Sequence, residues 1–230
     1  IDNALEYYLK ITELNEESYD IFINIGIILN KKNMFQKAEL YLLKALDCGY
    51  PSKNLLIQLG IAYGGQRKFL QSLVTFKEAL KFSLEDPIIH YQIGVIYKEL
   101  EIFDLAAKSF IFYLDSNKKD EITLSLIGEC YLNMNNYEKA IQYFEKSYKL
   151  NNNYTSLFNI GKCYEKSGDL KNAAKFFKNV IKKNPDHVKS REQLIPIYKK
   201  LNKFREARKE CEIIYMLDRS VYNSITFCRE

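Results

Sequence analysis

The sequence has 230 residues, of which 47% are hydrophobic and 27% are charged, and its formal net charge is +5. This balance excludes an intrinsically disordered chain, and no apolar run approaches the ~20 residues that a membrane-spanning helix needs. Glycine (9) and proline (4) are too scarce for an all-β fold built on many tight turns.

The predicted elements are helices throughout, because apolar residues recur three and four positions apart along the chain. Glycines mark a fixed spacing within this pattern. Gly26, Gly60, Gly94 and Gly128 are 34 residues apart, and Gly161 follows after 33. A constant period of this length indicates an internal repeat built from one helix pair per unit.

Three further columns accompany the glycines. Three residues after each glycine stands Leu29, Tyr63, Tyr97, Tyr131 or Tyr164. Twelve residues after it stands Ala38, Ser72, Ala106, Ala140 or Ala173, and sixteen after it stands Leu42, Phe76, Phe110, Phe144 or Phe177. A sixth unit keeps Tyr198 and Ala207 but has Ile195 in place of glycine, and a half unit at the start keeps Ala4 and Tyr8.

Each unit is interpreted as two antiparallel helices joined by a short polar break. The small residues at the glycine and alanine columns let the two helices approach closely, and the aromatic side chains fill the space between successive hairpins. A polar residue near the start of the second helix is expected to cap its free N–H groups. The candidate caps are Asp104, Asn136, Asp169 and Asn202.

These columns resemble the tetratricopeptide repeat family over nearly all of the chain. The resemblance implies an all-α fold, a right-handed superhelical solenoid of antiparallel helix hairpins. With the glycine at position 8 of each unit, repeats 1 to 6 are residues 19–52, 53–86, 87–120, 121–153, 154–187 and 188–221. Residues 1–18 are expected to be the second helix of a preceding repeat, and residues 222–230 the start of a truncated or capping helix.

Repeat 6 departs most from the family pattern. Arg191 stands at position 4, where the family usually has tryptophan, and Pro196 falls inside the first helix. A proline in a helix interior removes an N–H donor, so we expect a kinked or broken helix and a distorted hairpin or cap.

The sequence predicts no enzyme, no cofactor and no metal site, since it carries no phosphate-binding loop, nucleophile elbow or zinc-protease motif. His90 is expected to be a half-buried packing residue and His187 a solvated loop residue. The five cysteines form no C-x-x-C pair, so they are interpreted as free thiols in a reducing compartment, which favours the cytoplasm.

The resemblance implies that positions 2, 5, 6, 9, 12 and 13 of the first helices line a concave groove. Position 6 is a carboxamide in five of six repeats: Asn24, Gln58, Gln92, Asn159 and Gln193, with Leu126 in repeat 4. An amide both donates and accepts hydrogen bonds, so such a ladder suits an extended peptide backbone. It is similar to the asparagine ladder of O-GlcNAc transferases. The alternative is a solvated, amide-rich surface without a ligand.

Position 5 supplies candidate sites for apolar side chains of a partner. These are Ile23, Ile57, Tyr91 and Phe158. Lys162 at position 9 and Lys189 at position 2 would attract acidic residues. Only part of the family's carboxylate clamp is present, because Glu129 stands where the clamp needs an asparagine. The apolar groove positions would equally fit a closed superhelix that buries them, or a face assignment displaced by one residue.

Charge is uneven along the chain. Residues 154–230 hold 17 lysines and arginines against 9 acidic residues, concentrated in the second helices. This half is a solvated basic face or a docking surface for an acidic protein segment. Nucleic acid and an anionic membrane surface are disfavoured, because the sequence does not place aromatic residues among the charges on that face.

The predicted function is a non-catalytic scaffold or adaptor that binds an extended or helical segment of another protein in its groove. Two alternatives stay open: the substrate-recruiting arm of a larger enzyme, and a structural subunit of a large assembly, with self-association through exposed apolar columns. The chain begins at Ile1 without a methionine, so we expect it to be a piece of a longer protein.

Overall fold

The computed structural model describes residues 2–13, 18–117 and 119–229, and the side chains of these residues except 2, 3, 12, 13 and 229. Within these ranges every regular element is an α-helix and no strand is present. The helices are α1 Asp2–Glu13, α2 Tyr19–Lys31, α3 Phe35–Cys48, α4 Lys53–Gly65, α5 Phe69–Leu80, α6 Pro87–Glu99, α7 Phe103–Ser116, α8 Glu121–Asn133, α9 Tyr137–Asn151, α10 Tyr154–Lys166, α11 Leu170–Lys183, α12 Val188–Lys200, α13 Phe204–Leu217, α14 Arg219–Ser224 and α15 Thr226–Arg229.

Consecutive helices pack as hairpins, which confirms the predicted all-α class of helix-pair repeats. The chain divides into two compact units, residues 1–116 and 117–230. In the first unit α2 packs on α3, α4 on α5 and α6 on α7; in the second α8 packs on α9, α10 on α11 and α12 on α13. Each hairpin of a unit also contacts the next through its second helix, as in α3 with α4 and α11 with α12. The opening helix α1 packs on α2, with Tyr8 half-buried and Ala4 exposed.

The polar break of every hairpin is one recurring turn. Its central residue has a positive φ between 57° and 86° in all six cases: Asn33, Arg67, Glu101, Asn135, Gly168 and Asn202. In five of them the next residue donates its N–H to the carbonyl at position 11, as Lys68 does to Tyr63 at 2.9 Å. This left-handed ending satisfies carbonyls that the helix leaves free. The break therefore reverses the chain in three residues.

The glycine column has a more specific role than close helix approach. A Cβ at Gly94 would lie 2.9 Å from the Phe110 ring, and the same holds at 2.6 to 2.8 Å for Gly60, Gly128 and Gly161 against Phe76, Phe144 and Phe177. Each of these phenylalanines is fully buried. The aromatic ring thus packs on the glycine of its own hairpin and, as expected, also against the next hairpin, since Phe76 shares a core cluster with Ile89 and Ile93 of α6.

Two of the four predicted helix caps are confirmed. Asn136 accepts from the N–H of Lys139 at 3.2 Å, and Asp169 accepts from the N–H of Asn172 at 3.1 Å. The prediction is wrong for Asp104, which lies inside the first turn of α7, and for Asn202, which occupies the left-handed turn position.

Repeat 6 forms a hairpin in which α12 continues across Pro196, so the predicted break there is wrong. Helix α12 ends at Lys200, and Pro196 lies on its exposed side. The carbonyl of Glu192, which has lost its donor, can therefore be hydrated on that face. Beyond α13 the chain forms two short helices in place of one truncated helix.

The prediction of free cysteines is wrong for two of the five. Cys211 on α13 and Cys228 on α15 form a disulfide with a Cα–Cα distance of 5.3 Å, because the short terminal helices fold back on α13. Cys48, Cys130 and Cys163 do not take part in a disulfide. Since disulfides persist in oxidising compartments, the cysteines no longer support a cytoplasmic assignment.

Candidate functional site

The first helices of each unit form a row. In the first unit α2 contacts α4 and α4 contacts α6; in the second α8 contacts α10. All position-6 side chains are half-buried: Asn24, Gln58, Gln92, Leu126, Asn159 and Gln193. In the first unit the three carboxamides therefore follow one another on neighbouring helices at the same register.

Asn30 links two helices of this row. Its Nδ2 donates to the backbone carbonyl of Gln58 at 2.9 Å and to the Oε1 of Gln58 at 3.2 Å. Asn30 is only 7% exposed, and its Oδ1 is buried without a hydrogen-bond partner. The contact fixes the Gln58 side chain and leaves one buried acceptor open beside it. The sequence reasoning missed Asn30, although position 12 belongs to the groove set that the family resemblance implies.

The position-5 side chains differ in how much surface they offer. Ile23 is 5% exposed and belongs to the core around Phe22 and Leu42, so its selection as a groove residue is wrong. Ile57 is half-buried and packs beside Leu73. At position 5, Ile23 therefore packs in the core, whereas Ile57 offers accessible apolar surface.

Tyr91, the third position-5 residue, lies in a ring cluster. Its ring centroid is 5.0 Å from that of Tyr113 and 5.6 Å from that of Phe110. One face of the tyrosine is thus held by the second helix of its own hairpin, and the side chain remains half-buried. The arrangement orients Tyr91 rigidly on the row.

In the second unit Phe158 packs on Phe177 and on His187, with centroids 5.4 and 5.3 Å apart. His187 caps α12: its Nδ1 accepts from the N–H of Ser190 at 3.2 Å. Burial, with the nearby charge of Lys189, lowers the pKa of His187. The expectation of a solvated loop histidine is therefore wrong, whereas His90 is half-buried as predicted and lies 4.0 Å from the Phe112 ring.

Of the two lysines predicted for the second unit's row, Lys162 lies near the half-buried Glu165 and the buried Cys163. Lys162 is half-buried and Lys189 is exposed. Burial raises the pKa of Glu165 even though Lys200, Lys162 and Lys166 oppose the shift, and burial raises the pKa of Cys163 to about 12. A thiol with that pKa is not a nucleophile at neutral pH.

Among the described parts of the chain, no helix combines the length and the apolar character that crossing a bilayer requires. In the same residues no three histidine, cysteine or acidic side chains come together as a set that could hold a metal ion.

One protein-family model matches part of the sequence. The family model described as anaphase-promoting complex, cyclosome, subunit 3 matches residues 133–212, about a third of the chain. No protein with a curated function matches the sequence.

Several solved structures share the fold. The C-terminal part of a TPR repeat-containing protein from Cytophaga hutchinsonii superposes with a TM-score of 0.77 at 17% identity, covering 95% of this chain and 90% of that one. PilF from Pseudomonas aeruginosa has a TM-score of 0.69 at 16% identity, with coverages of 92% and 95%. YrrB, described as a TPR protein with an unusual peptide-binding site, has a TM-score of 0.67 at 21% identity, with coverages of 81% and 96%. At these identities the likeness establishes the fold.

Proposed function

We propose that this chain, which has the fold of tetratricopeptide repeat proteins, is a non-catalytic adaptor whose first-helix row binds a peptide segment of a partner protein. The groove of the first unit consists of the carboxamides Asn24, Gln58 and Gln92 with Asn30 between two of them. An extended segment would lie across α2, α4 and α6 and exchange hydrogen bonds with these amides.

The Asn30–Gln58 contact is the observation that carries the proposal. A buried acceptor without a partner is costly, and here it lies beside an amide whose own orientation is already fixed. Because Asn30 Oδ1 is itself buried, a peptide would meet the half-buried amide of Gln58, which the contact with Asn30 holds in place. Preorganised polar groups of this kind lose little entropy when a ligand binds.

The remaining groove residues set which side chains the segment carries. Ile57 and Tyr91 offer half-buried apolar surface in the first unit, and Phe158 does so in the second. Lys162 and Lys189 would favour acidic residues on a segment bound to the second unit. That YrrB is described as having a peptide-binding site agrees with this use of the fold.

The test is an affinity capture from lysate of the source organism, followed by mass spectrometry, with the native chain and the triple variant Asn24→Ala/Gln58→Ala/Gln92→Ala. We expect a partner that the native chain retains and the triple variant loses. Far-UV circular dichroism should show equal helicity for the two proteins.

The matched control is Gln36→Ala/Gln71→Ala, which removes exposed carboxamides from the second helices α3 and α5. This variant should retain the partner. Retention by the groove variant as well would place the interface outside the first-helix row and would refute the proposal.

A structural subunit of a larger assembly is the second candidate. Leu70 and Leu84 are 77% and 76% exposed, and such apolar surface is commonly covered in complexes. The matching family model also describes a subunit of a complex. Analytical ultracentrifugation over a wide concentration range tests self-association: a chain that stays monomeric throughout would argue against assembly through its own copies. The third possibility, the recruiting arm of a larger enzyme, is decided by the sequence that flanks this chain in its gene.

A further inference from the structure

A lysine-lined cavity of about 330 Å³ lies between repeats 5 and 6, and none of its lining residues belongs to the groove. Lys171, Lys175 and Lys178 reach it from one stripe of α11, and Lys203 reaches it from the turn before α13. Ala174 lies at its base and is 7% exposed. Among the described residues neither Lys175 nor Lys203 has an ion-pair partner.

The same place between repeats 1 and 2 is occupied by a carboxylate. Lys68 Nζ donates to both oxygens of Glu39, at 2.7 and 3.0 Å, and Gln66 Nε2 donates to Oε2 at 2.5 Å. Burial alone would raise the pKa of Glu39, but the hydrogen bonds from Lys68 and Gln66 hold it below its usual value. The charge of Lys68 is thus paired with a carboxylate of the same chain.

The repeat register relates the two places residue by residue. Glu39 and Ala174 are both position 21 of their repeats, and Lys68 and Lys203 are both position 16 of the following repeat. Repeat 6 therefore keeps the cation, whereas repeat 5 lacks the carboxylate. By this register, a glutamate at position 174 would lie next to Lys203, among the residues that line the cavity.

We propose that this cavity binds an acidic side chain, glutamate or aspartate, from an extended segment of a partner protein. The partner's carboxylate would take the place that Glu39 takes between repeats 1 and 2, paired with Lys203. The stripe of lysines on α11 would attract further acidic residues along the segment. Successive lysines on that face are about one helical turn apart, a spacing that neighbouring residues of a peptide can match.

The lining favours a peptide over nucleic acid. Binding of single strands relies on accessible aromatic faces for base stacking. Tyr198 is the aromatic residue of the lining; it is 2% exposed, and Lys178 Nζ lies 5.4 Å from its ring centroid. Three carboxylates lie near the site. Glu210 is paired with Arg191, and Asp169 caps α11. Glu206, whose charge acts on Tyr198, is exposed and is outnumbered by the four lysines of the lining.

The test uses fluorescence anisotropy with a fluorescein-labelled oligoglutamate peptide and the full chain at low ionic strength. The variant Ala174→Glu supplies the missing carboxylate from within, and Ala174→Gln is its neutral control of the same size. We expect Ala174→Glu to weaken binding about fivefold or more, because it both occupies Lys203 and repels the peptide. The glutamine variant should weaken it less.

A second measurement shows whether the introduced carboxylate reaches its partner. Ala174→Glu should raise the thermal midpoint above that of Ala174→Gln, and adding Lys203→Gln should abolish that difference. Absence of peptide binding by the native chain, or equal binding by the glutamate and glutamine variants, overturns the proposal. Stronger binding of an oligoadenylate or of phosphatidylglycerol vesicles than of oligoglutamate also overturns it and assigns the lysines to nucleic acid or to a membrane surface.

Discussion

Arg191 Nη1 donates to Glu210 Oε2 at 2.6 Å and joins the two helices of the last full hairpin. The other guanidinium nitrogens donate to the carbonyl of Pro185, at 2.8 Å from Nη2 and 3.3 Å from Nε. The two side chains are only 9% and 14% exposed. Arg191 occupies the position that the family fills with tryptophan. An ion pair with backbone contacts thus replaces an aromatic ring at this site.

Removing either partner should destabilise the second unit, because the remaining charge would be buried without compensation. We expect Arg191→Ala to lower the free energy of unfolding by about 3 kcal/mol, at the lower end for buried pairs of this kind. Urea denaturation followed by circular dichroism measures the loss.

The double variant Arg191→Leu/Glu210→Leu is the control, since it removes both charges and keeps apolar volume. Its loss should be clearly smaller than that of Arg191→Ala. If the double variant proves as unstable as the single one, the packing of the arginine stem matters more than its charge.

The left-handed turn residues give a second stability prediction. Glu101 has a φ of 59°, a conformation that costs residues other than glycine about 1–2 kcal/mol. Glycine removes this cost but gains entropy in the unfolded chain, which offsets part of the gain. The net effect of Glu101→Gly should be a rise in the free energy of unfolding of about 0.5–1 kcal/mol. Chemical denaturation of Glu101→Gly beside Glu101→Ala measures the change.

The converse substitution is Gly168→Ala. Gly168 has a φ of 86°, and a Cβ there would meet no atom within 4 Å, so any cost arises in the backbone alone. We expect a loss of about 1 kcal/mol. A neutral Gly168→Ala together with a neutral Glu101→Gly would show that these turns relax without strain.

The hairpins could be predicted from the sequence because a 34-residue period repeats every packing contact in the same register. Asn136 and Asp169 could be recognised as caps from their place before the second helix. Pro196 misled, since the helical pattern does not show that the proline lies on the exposed side of α12. The rule that proline breaks a helix therefore fails where the proline lies on the exposed side of the helix.

The candidate site could be predicted only in outline. The amide column is visible in the sequence, but Asn30 gains its role from a contact with Gln58 across 28 residues. The burial of Ile23 likewise depends on how α2 meets its neighbours. The cavity at Ala174 could be interpreted only after the structure showed that Glu39, at the same position of repeat 1, pairs with Lys68. Such relationships need three-dimensional contacts between repeats.

The disulfide predicts a redox dependence of stability at the C-terminal end. Cys211 and Cys228 are 17 residues apart, and a closed loop of about that size stabilises a protein by about 3 kcal/mol. Reduction, or Cys228→Ser, should release α14 and α15 from α13 and lower the free energy of unfolding by up to that amount. Cys48→Ser is the control, since Cys48 is free and exposed. Equal unfolding curves with and without reductant would contradict the expected role of the disulfide.

The cap at His187 predicts how the stability of the second unit depends on pH. Burial lowers the pKa of His187 from its ordinary value of 6.5, so the folded state favours the neutral ring whose Nδ1 accepts from Ser190. The unfolded chain binds the proton more readily, and stability must fall as pH drops below that ordinary value. The contribution is fully present above 6.5 and is lost as pH falls through the folded pKa.

Thermal unfolding at a series of pH values from about 7 to about 5 measures this dependence. His187→Asn keeps a good cap without a titrating ring, so its thermal midpoint should vary less over this range. The difference between the two proteins isolates the histidine, because the carboxylates are common to both. Parallel pH profiles for the native chain and His187→Asn would mean that the His187 ring does not control the stability of this end of the repeat array.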